Sequence, residues 1–446
     1  MPEHELNHGF FIDAQACHGR LACMRICPTQ AIRVREGKAQ LLPHLCIDCG
    51  SCLRACRSGA IHATTRSFAE LDKYRYKVAL PSPVLFGQFP LAVTPAHVVA
   101  GLRGVGFDAV ADFTVEMALI NRAVRDYLDR WAGPHPLLSV WCPVVVRLVQ
   151  VSYPRMVSQL IPIQAPRELA GRAVKEKHSQ ELGIGCDEIA AIYITPCQAK
   201  TVSIWAPAEG GRSHLDGALG ISDVYNDVLS RSPPLEKREV PQRLSNFTCR
   251  AETLRWGTHE AQGLVLSRHR YMSVTGLSNV IQVFDDIEKG KLRNIEYLEC
   301  YACWGGCANG NLTVDNIYVT LSKIHRLLAS LPESDSELEA EVQRRYPQGD
   351  FSLAAPIRPR EIADPKCDLK ERVQRIKHEE ALLEALPGLD CGLCGAPTCE
   401  SFARDVARGV AQAERCALFS DKRLQELRET YLRYRKPLSP DPPPPV

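Results

Sequence analysis

The chain has 446 residues, 54 Lys+Arg against 52 Asp+Glu, a formal charge of +2 and 45% hydrophobic residues. A near-neutral balance argues against a dedicated nucleic-acid or polybasic membrane binder, and no apolar run of about 18 residues suggests a membrane span. What composition leaves unexplained is the 19 cysteines. The start, Met1 to Glu5, has no basic region followed by an apolar core, so no secretory leader is read and a cytoplasmic place is expected. Thiols there stay reduced, which makes metal ligation the first explanation. The cysteines also fall in tight bursts, unlike the even density of a small disulfide-stapled protein.

In chain order, the first burst contains Cys46, Cys49, Cys52 and Cys56, a full C-x2-C-x2-C-x3-C run. Cys17, Cys23 and Cys27, followed by Pro28, repeat it with Arg20 in the second slot, and small apolar segments at 31–34 and 60–63 follow the two runs. This internal repeat resembles the bacterial two-cluster ferredoxin over residues 8–66, and a small α+β domain is expected at 1–70. In that family the fourth cysteine of each run crosses to the other cluster. The resemblance implies one complete [4Fe–4S] site from Cys27, Cys46, Cys49 and Cys52, and a second site with only Cys17, Cys23 and Cys56. Arg20 is no ligand, because its guanidinium stays protonated. Three thiolates are compatible with a [3Fe–4S] cluster, with a [4Fe–4S] cluster completed by His18 or solvent, and with no cluster. Zinc suits two interleaved runs less well than iron–sulfur does.

From residue 71 the texture changes. Residues 76–80 read as a buried strand ended by Pro81 and Pro83, and 189–194 as another. Residues 95–131 read as helical around a Gly-rich turn at 101–106, with a strand at 109–111. The alternation predicts an α/β domain with a largely parallel sheet over 71–331. Three cysteine segments sit at the ends of such elements: Ser139-Val140-Trp141-Cys142-Pro143, Thr195-Pro196-Cys197-Gln198-Ala199-Lys200, and Glu299-Cys300-Tyr301-Ala302-Cys303-Trp304-Gly305-Gly306-Cys307. Each alone is weak. In this order and spacing, with Gly106-Phe107-Asp108, they resemble the catalytic domain of the [FeFe]-hydrogenases over roughly 77–330.

In that family four cysteines hold a cubane, and the last also bridges to a diiron centre carrying CO and CN ligands. The resemblance implies Cys142, Cys197, Cys303 and Cys307 as the ligands, with Lys200 as the cation facing a diiron cyanide. Lys200 is the candidate catalytic residue only where a diiron centre is present. The departures concern proton delivery. Trp141 stands where active members have a relay cysteine, and Ser203 where they have a glutamate. Thr195 and Tyr301 replace methionines that line the diiron pocket. An indole N–H only donates, and a serine is a far weaker acid than a carboxylate. A placed proton carrier is typically worth about 10²–10⁴ in rate, so efficient turnover is not expected. Trp141 is also large enough to occupy the diiron space.

The last burst, Cys391, Cys394, Cys399 and Cys416, has C-x2-C-x4-C-x16-C spacing with a helical run to Cys416. It resembles the small helical [4Fe–4S] domain of Rnf-type complexes and corrinoid iron–sulfur proteins over 370–420, with zinc as the alternative. Residues 332–369 read as a linker with one short helix at about 334–345, and 421–446 as a charged helix and Pro-rich tail. Cys186, Cys249, Cys300 and Cys367 are left over, most of them read as buried small hydrophobes.

All three modules handle electrons. The resemblances imply three [4Fe–4S] clusters, a further three-thiolate cluster and a conditional diiron subcluster, with electrons hopping from ferredoxin to central to C-terminal cluster. The leading expectation is an iron–sulfur electron-transfer or redox/H2-sensing protein with weak or no H2 turnover. An active [FeFe]-hydrogenase with an unusual proton path is the first alternative, and a cluster scaffold the second. No dinucleotide or flavin fingerprint is present, so redox partners are expected: a ferredoxin, a flavoprotein or other complex subunits. If the chain signals, a separate signalling partner carries the output.

Overall fold

The computed structural model describes residues 8–65, 67–233, 250–263, 265–331, 335–360 and 369–418. Cys249, Cys367 and the helix and tail expected at 421–446 lie outside the described residues. The chain divides into two compact units, each assembled from separated stretches. The first comprises Met1–Phe11, Ile47–Gly50 and His62–Arg360; the second comprises Ile12–Cys46, Ser51–Ile61 and Glu361–Val446.

The strands are β1 (Phe10–Ile12), β2 (Ile32–Arg35), β3 (Lys38–Leu41), β4 (Ile61–Ala63), β5 (Tyr76–Pro81) and β6 (Ala109–Val110), then β7 (Leu137–Leu138), β8 (Ile189–Thr195), β9 (Gly217–Gly220), β10 (Tyr271–Thr275) and β11 (Tyr297–Tyr301). The helices are α1 (Ala22–Arg25), α2 (Ser51–Ala55), α3 (Pro95–Val105), α4 (Thr114–Leu128), α5 (Pro143–Ser152), α6 (Pro166–Leu182) and α7 (Gln198–Trp205). They continue with α8 (Ile221–Arg231), α9 (Ala251–Arg255), α10 (Leu277–Glu288), α11 (Ile317–Ala329), α12 (Ser336–Arg345), α13 (Leu369–Ala385) and α14 (Cys399–Ala407).

The first unit is α/β with parallel sheets. One sheet runs β6-β5-β8-β9, with Val78 beside Ala109 and Ala191, and Ile192 beside Gly217. β8 is buried at all seven positions. A parallel strand covered on both faces reads as a continuous apolar run, which is why this one is visible in the sequence. A second parallel sheet runs β10-β11-β7, with Val274 beside Cys300 and Leu298 beside Leu138. The core under the first sheet joins Phe86, Phe89, Leu102, Ile192, Leu219 and Val224. Proline opens α3, α5 and α6, where a missing N–H costs nothing.

Residues 335–360, which the sequence offers as linker, are bonded into this unit. Arg345 on α12 pairs with buried Glu116 on α4 at 2.8 Å. Gln164 and Leu353 exchange backbone bonds across to Phe351 and Pro162, at 2.8 and 3.1 Å.

In the second unit β2 and β3 form an antiparallel hairpin, Ile32 opposite Leu41. Near the C-terminus Phe402 and Ala403 of α14 pack with Leu386, Ala396 and Cys416. The helical run expected to reach Cys416 stops earlier. Val410 N–H turns back to the Asp405 carbonyl at 2.9 Å and closes α14, and Cys416 arrives on a short 3-10 turn, Ala413–Arg415.

Candidate metal centres and the pocket beside them

The three central cysteine loops leave the C-terminal ends of parallel strands. After β7 comes Cys142, which caps α5; after β8 comes Cys197, which caps α7; after β11 come Cys303 and Cys307. Open α/β sheets gather ligand sites on that edge. The two helix starts turn their positive ends toward Cys142 and Cys197, which favours thiolate.

Burial pushes the Cys142 thiol up to about 11; the Ala302 N–H pulls it down, and Cys197 and Cys307 push it further up. Cys197 is raised in the same way, by burial first, with Lys200 opposing and Cys307 adding. These mutual influences bring Cys142, Cys197 and Cys307 into one group. Cys303 sits on the turn before Cys307, its carbonyl accepting the Gly306 N–H at 3.2 Å. Gly306 has φ +83°, and a Cβ there would meet the His259 backbone at 3.2 Å, so the turn needs glycine. Every described cysteine is a free thiol. All four central cysteines are half-buried, and thiols raised as Cys142 and Cys197 are suit a cationic iron core, whose charge removes their resistance to ionising. Cys142, Cys197 and Cys307 fit a cluster's donor set, and Cys303, on the turn before Cys307, is the candidate fourth ligand.

Lys200 is 8% exposed and donates to Cys307 Sγ at 3.3 Å. Burial works against its charge, but Cys307 and Tyr193 outweigh burial and raise its pKa. Beside this pair lies a cavity of about 40 Å³, walled by Trp141, Tyr193, Trp256 and Tyr301. Trp141 stands edge-on to Trp256, ring centres 5.5 Å apart, and its N–H donates to Gln262 Oε1 at 2.8 Å. Gln262 is held in turn by the Tyr297 hydroxyl at 2.8 Å and by Asn121 at 3.1 Å. The indole is fixed and its single donor is used. Ser203 donates to the Lys200 carbonyl at 2.8 Å and accepts from Arg167 at 3.1 Å. Thr195 donates to the Cys197 carbonyl at 3.0 Å. Tyr301 donates to Glu299, a fully buried carboxyl that also accepts from Tyr271. The sequence reading missed Gln262 and Glu299; the one available signal was an acid inside the apolar strand Tyr-Leu-Glu-Cys-Tyr.

Of the leftover cysteines, Cys300 is fully buried and near enough to Cys142 to be raised by it, after burial itself. Cys186 is exposed, against the expectation of a buried hydrophobe, because it sits on a short surface turn, Cys186–Glu188.

The first unit also contains residues 47–50 of the ferredoxin run. Asp48 is fully buried, accepts from Arg147, and lies 3.1 Å from His8 Nδ1. Burial alone would raise its pKa; the bonds from His8 and Arg147 outweigh it and hold the carboxyl below its ordinary range. The Asp48 carbonyl accepts from Gln198 at 2.9 Å, and the Cys49 carbonyl from Asn311 at 3.2 Å. Arg147 lies on the helix capped by Cys142, Gln198 follows Cys197, and Asn311 follows Cys307. The loop carrying Cys49 is thus bonded to all three segments that carry the central cysteines.

In the second unit Cys17, Cys23 and Cys56 line one cavity of about 560 Å³, with His18, Arg20 and Arg54 around it. Cys23 is raised by burial, then by Cys17 and Cys56. Burial would raise Cys56, but bonds from the Ser58 side chain and the Ala60 and Ile61 amides bring it below its ordinary value. Arg20 is exposed. Cys27 Sγ accepts the Ala31 N–H at 3.2 Å, and Cys46 and Cys52 are buried in this unit, whereas Cys49 falls in the first.

Cys391, Cys394, Cys399 and Cys416 line a single pocket with Phe402. Cys394 is raised by burial and, beyond the Ala396 amide's opposing pull, by the other three. This donor set also fits a cluster. Its loop is tied to the ferredoxin hairpin. Val34 N–H donates to Gly395 O at 2.9 Å, Arg35 to Cys394 O at 2.8 Å, and Arg25 to Cys391 O at 2.9 Å. A Cβ on Gly395 would lie 1.8 Å from the Val34 carbonyl. Arg33 and Arg35 converge on Asp405 at 2.6 Å each. The C-terminal loop bonds to ferredoxin strand β2, and the ferredoxin loop 47–50 bonds to the central segments.

Three family descriptions match the chain: "Iron only hydrogenase large subunit, C-terminal domain" over 75–224, "4Fe-4S dicluster domain" over 10–57, and "Putative Fe-S cluster" over 386–417. The chain is a divergent [FeFe]-hydrogenase-like protein. The hydrogenase-like chain is 26% identical to the NADP-reducing hydrogenase subunit HndD of Solidesulfovibrio fructosivorans, over 35% of this chain and 30% of that protein. It is 21% identical to iron hydrogenase 1 of Clostridium pasteurianum, over 48% and 44%. It is 22% identical to a probable cytosolic Fe-S cluster assembly factor of Culex quinquefasciatus, over 56% and 64%. The chain thus spans 30% to 64% of the length of these relatives. A solved structure of the [FeFe]-hydrogenase HydA1 from Chlamydomonas reinhardtii aligns with TM-score 0.48 and 16% identity, covering 65% of this chain and 98% of that one. Among the described residues no helix is long and apolar enough to cross a membrane.

Proposed function

We propose that this hydrogenase-like chain is an iron–sulfur electron carrier with weak or no H2 turnover. Cys142, Cys197, Cys303 and Cys307 would hold the central [4Fe–4S] cluster, Cys391, Cys394, Cys399 and Cys416 the C-terminal one, and Cys27, Cys46, Cys49 and Cys52 the complete ferredoxin one. Bound clusters would supply one-electron storage, and the protein holds them. The observation that carries the reading is Trp141, locked between Trp256 and Gln262 where a proton carrier would be needed. Beside it only about 40 Å³ is open. The bonds from the C-terminal loop to β2 support transfer between the C-terminal and ferredoxin clusters. Electrons enter and leave through redox partner proteins.

The test is a reductive titration of anaerobically reconstituted protein, followed by electron paramagnetic resonance. Three [4Fe–4S] clusters should reduce in one-electron steps, and Cys→Ser changes in one set should remove one signal each. Fewer than three such signals would refute the reading.

The three-thiolate site at Cys17, Cys23 and Cys56 is assigned a [3Fe–4S] cluster. Arg20→Cys supplies the missing thiol, so the oxidised three-iron signal should vanish and one further iron should bind. An unchanged oxidised spectrum contradicts the assignment.

A second reading, H2 sensing, is favoured by Lys200, a buried cation beside Cys307 that would be available to an anionic ligand of a diiron centre. Infrared spectra separate the two. CO and CN stretches in matured protein support the sensor, and their absence leaves the electron carrier.

A further inference from the structure

We propose that Glu299 is the proton acceptor that accompanies reduction of the central centre: as one electron enters at Cys142, Cys197, Cys303 and Cys307, the Glu299 carboxylate takes up one proton from solvent. This rests on the reading that these cysteines hold an iron–sulfur centre. The electron comes from a one-electron redox protein, one O–H bond forms on Glu299, and no protein bond breaks. The net charge of the buried region is unchanged.

Glu299 sits in β11, a strand buried at all five positions, and is 0% exposed. Tyr271 from neighbouring β10 donates to Oε2, Tyr301 on its own strand to Oε1, and the Gln262 N–H approaches Oε2 at 3.4 Å. Glu260, in the segment after α9, adds negative charge, and Tyr297 and Cys300 on β11 stand close enough to be raised by Glu299. Burial pushes the carboxyl up to about 7, while the bonds from Tyr271, Tyr301 and Gln262 pull the other way. A group balanced near neutrality in a dry interior responds strongly to any added charge nearby.

Tyr301 makes the connection. Its hydroxyl is bonded to Glu299, while the same side chain walls the cavity beside Cys307 and feels the Cys307 charge. An electron added at the thiolates therefore acts across one hydroxyl on Glu299. With Trp141 and Ser203 in the relay positions, the proton is stored at the carboxyl instead of moving on to a substrate. Tyr271, half-buried, lies on the other side of the carboxyl as the route toward solvent.

The experiment measures the midpoint potential of the central centre against pH in the full reconstituted chain, its signal assigned by loss in Cys142→Ser. The potential should be level on the acid side of about pH 7, where the carboxyl is already protonated in the oxidised state. Above that it should fall by about 59 mV per pH unit, one proton per electron. Glu299→Gln should give a level potential throughout. Tyr271→Phe removes one donor to the ionised carboxyl, so the fall should begin at higher pH with the same slope. A level potential in the unsubstituted protein, or an unchanged slope in Glu299→Gln, overturns the inference alone. If no signal is lost in Cys142→Ser, the reading of the central cysteines falls and the inference with it.

Discussion

Asp405→Ala should unfold the second unit at a denaturant concentration where the unsubstituted chain is still native. Arg33, Arg35 and Asp405 are 4%, 9% and 5% exposed, and both guanidiniums share the one carboxylate. Removing one partner of a buried pair costs about 3–5 kcal/mol, because the charge left behind is neither paired nor hydrated. Here two are left. Burial already lowers the Arg35 pKa, and Asp405 is the main influence opposing it. The same bonds hold the Cys391–Cys394 loop on β2, so the C-terminal cluster should be lost first. Anaerobic urea titration followed by cluster absorption measures this. Glu400→Ala breaks only an exposed 2.7 Å pair with Arg404 and should shift stability by no more than about 0.5 kcal/mol. Equal effects of the two substitutions would contradict the role given to Asp405.

In matured protein that shows the CO and CN stretches of a diiron centre, the double substitution Trp141→Cys with Ser203→Glu should raise H2 evolution by about 10²–10⁴ over the unsubstituted chain. It replaces the fixed indole with an ionisable thiol and opens the space that Trp141 fills beside Lys200 and Cys307. It also puts an acid where Ser203 now spends its hydroxyl on the Lys200 carbonyl. Losing a buried indole costs about 3–5 kcal/mol of stability, so the variant is to be compared at equal iron loading. No gain at equal loading despite those stretches would contradict the claim that proton delivery limits turnover.

Much of this was legible in the sequence, for stated reasons. β5 and β8 are continuous apolar runs, and the cysteine spacings mark which thiols share a loop. β7 was hidden: two leucines following Pro136 carry no period, and the strand exists because β11 pairs with it. Asp405 and Arg33 are 372 residues apart, so no local pattern announces their pairing. That pairing also holds the C-terminal cysteine loop on β2, a neighbourhood that only tertiary structure reveals. Glu299 was legible as a residue and not as an acid held near neutrality, because its environment is assembled from β10, β11 and the segment around Gln262.

The central claim is that the cluster ligands persist while proton delivery does not. Its most direct test is hydrogen–deuterium exchange by fully matured, iron-loaded, unsubstituted protein, with reduction by a one-electron donor recorded in parallel. The account predicts clusters that reduce completely and H2 exchange at or near background. Exchange at the rate of an [FeFe]-hydrogenase assayed alongside would contradict it.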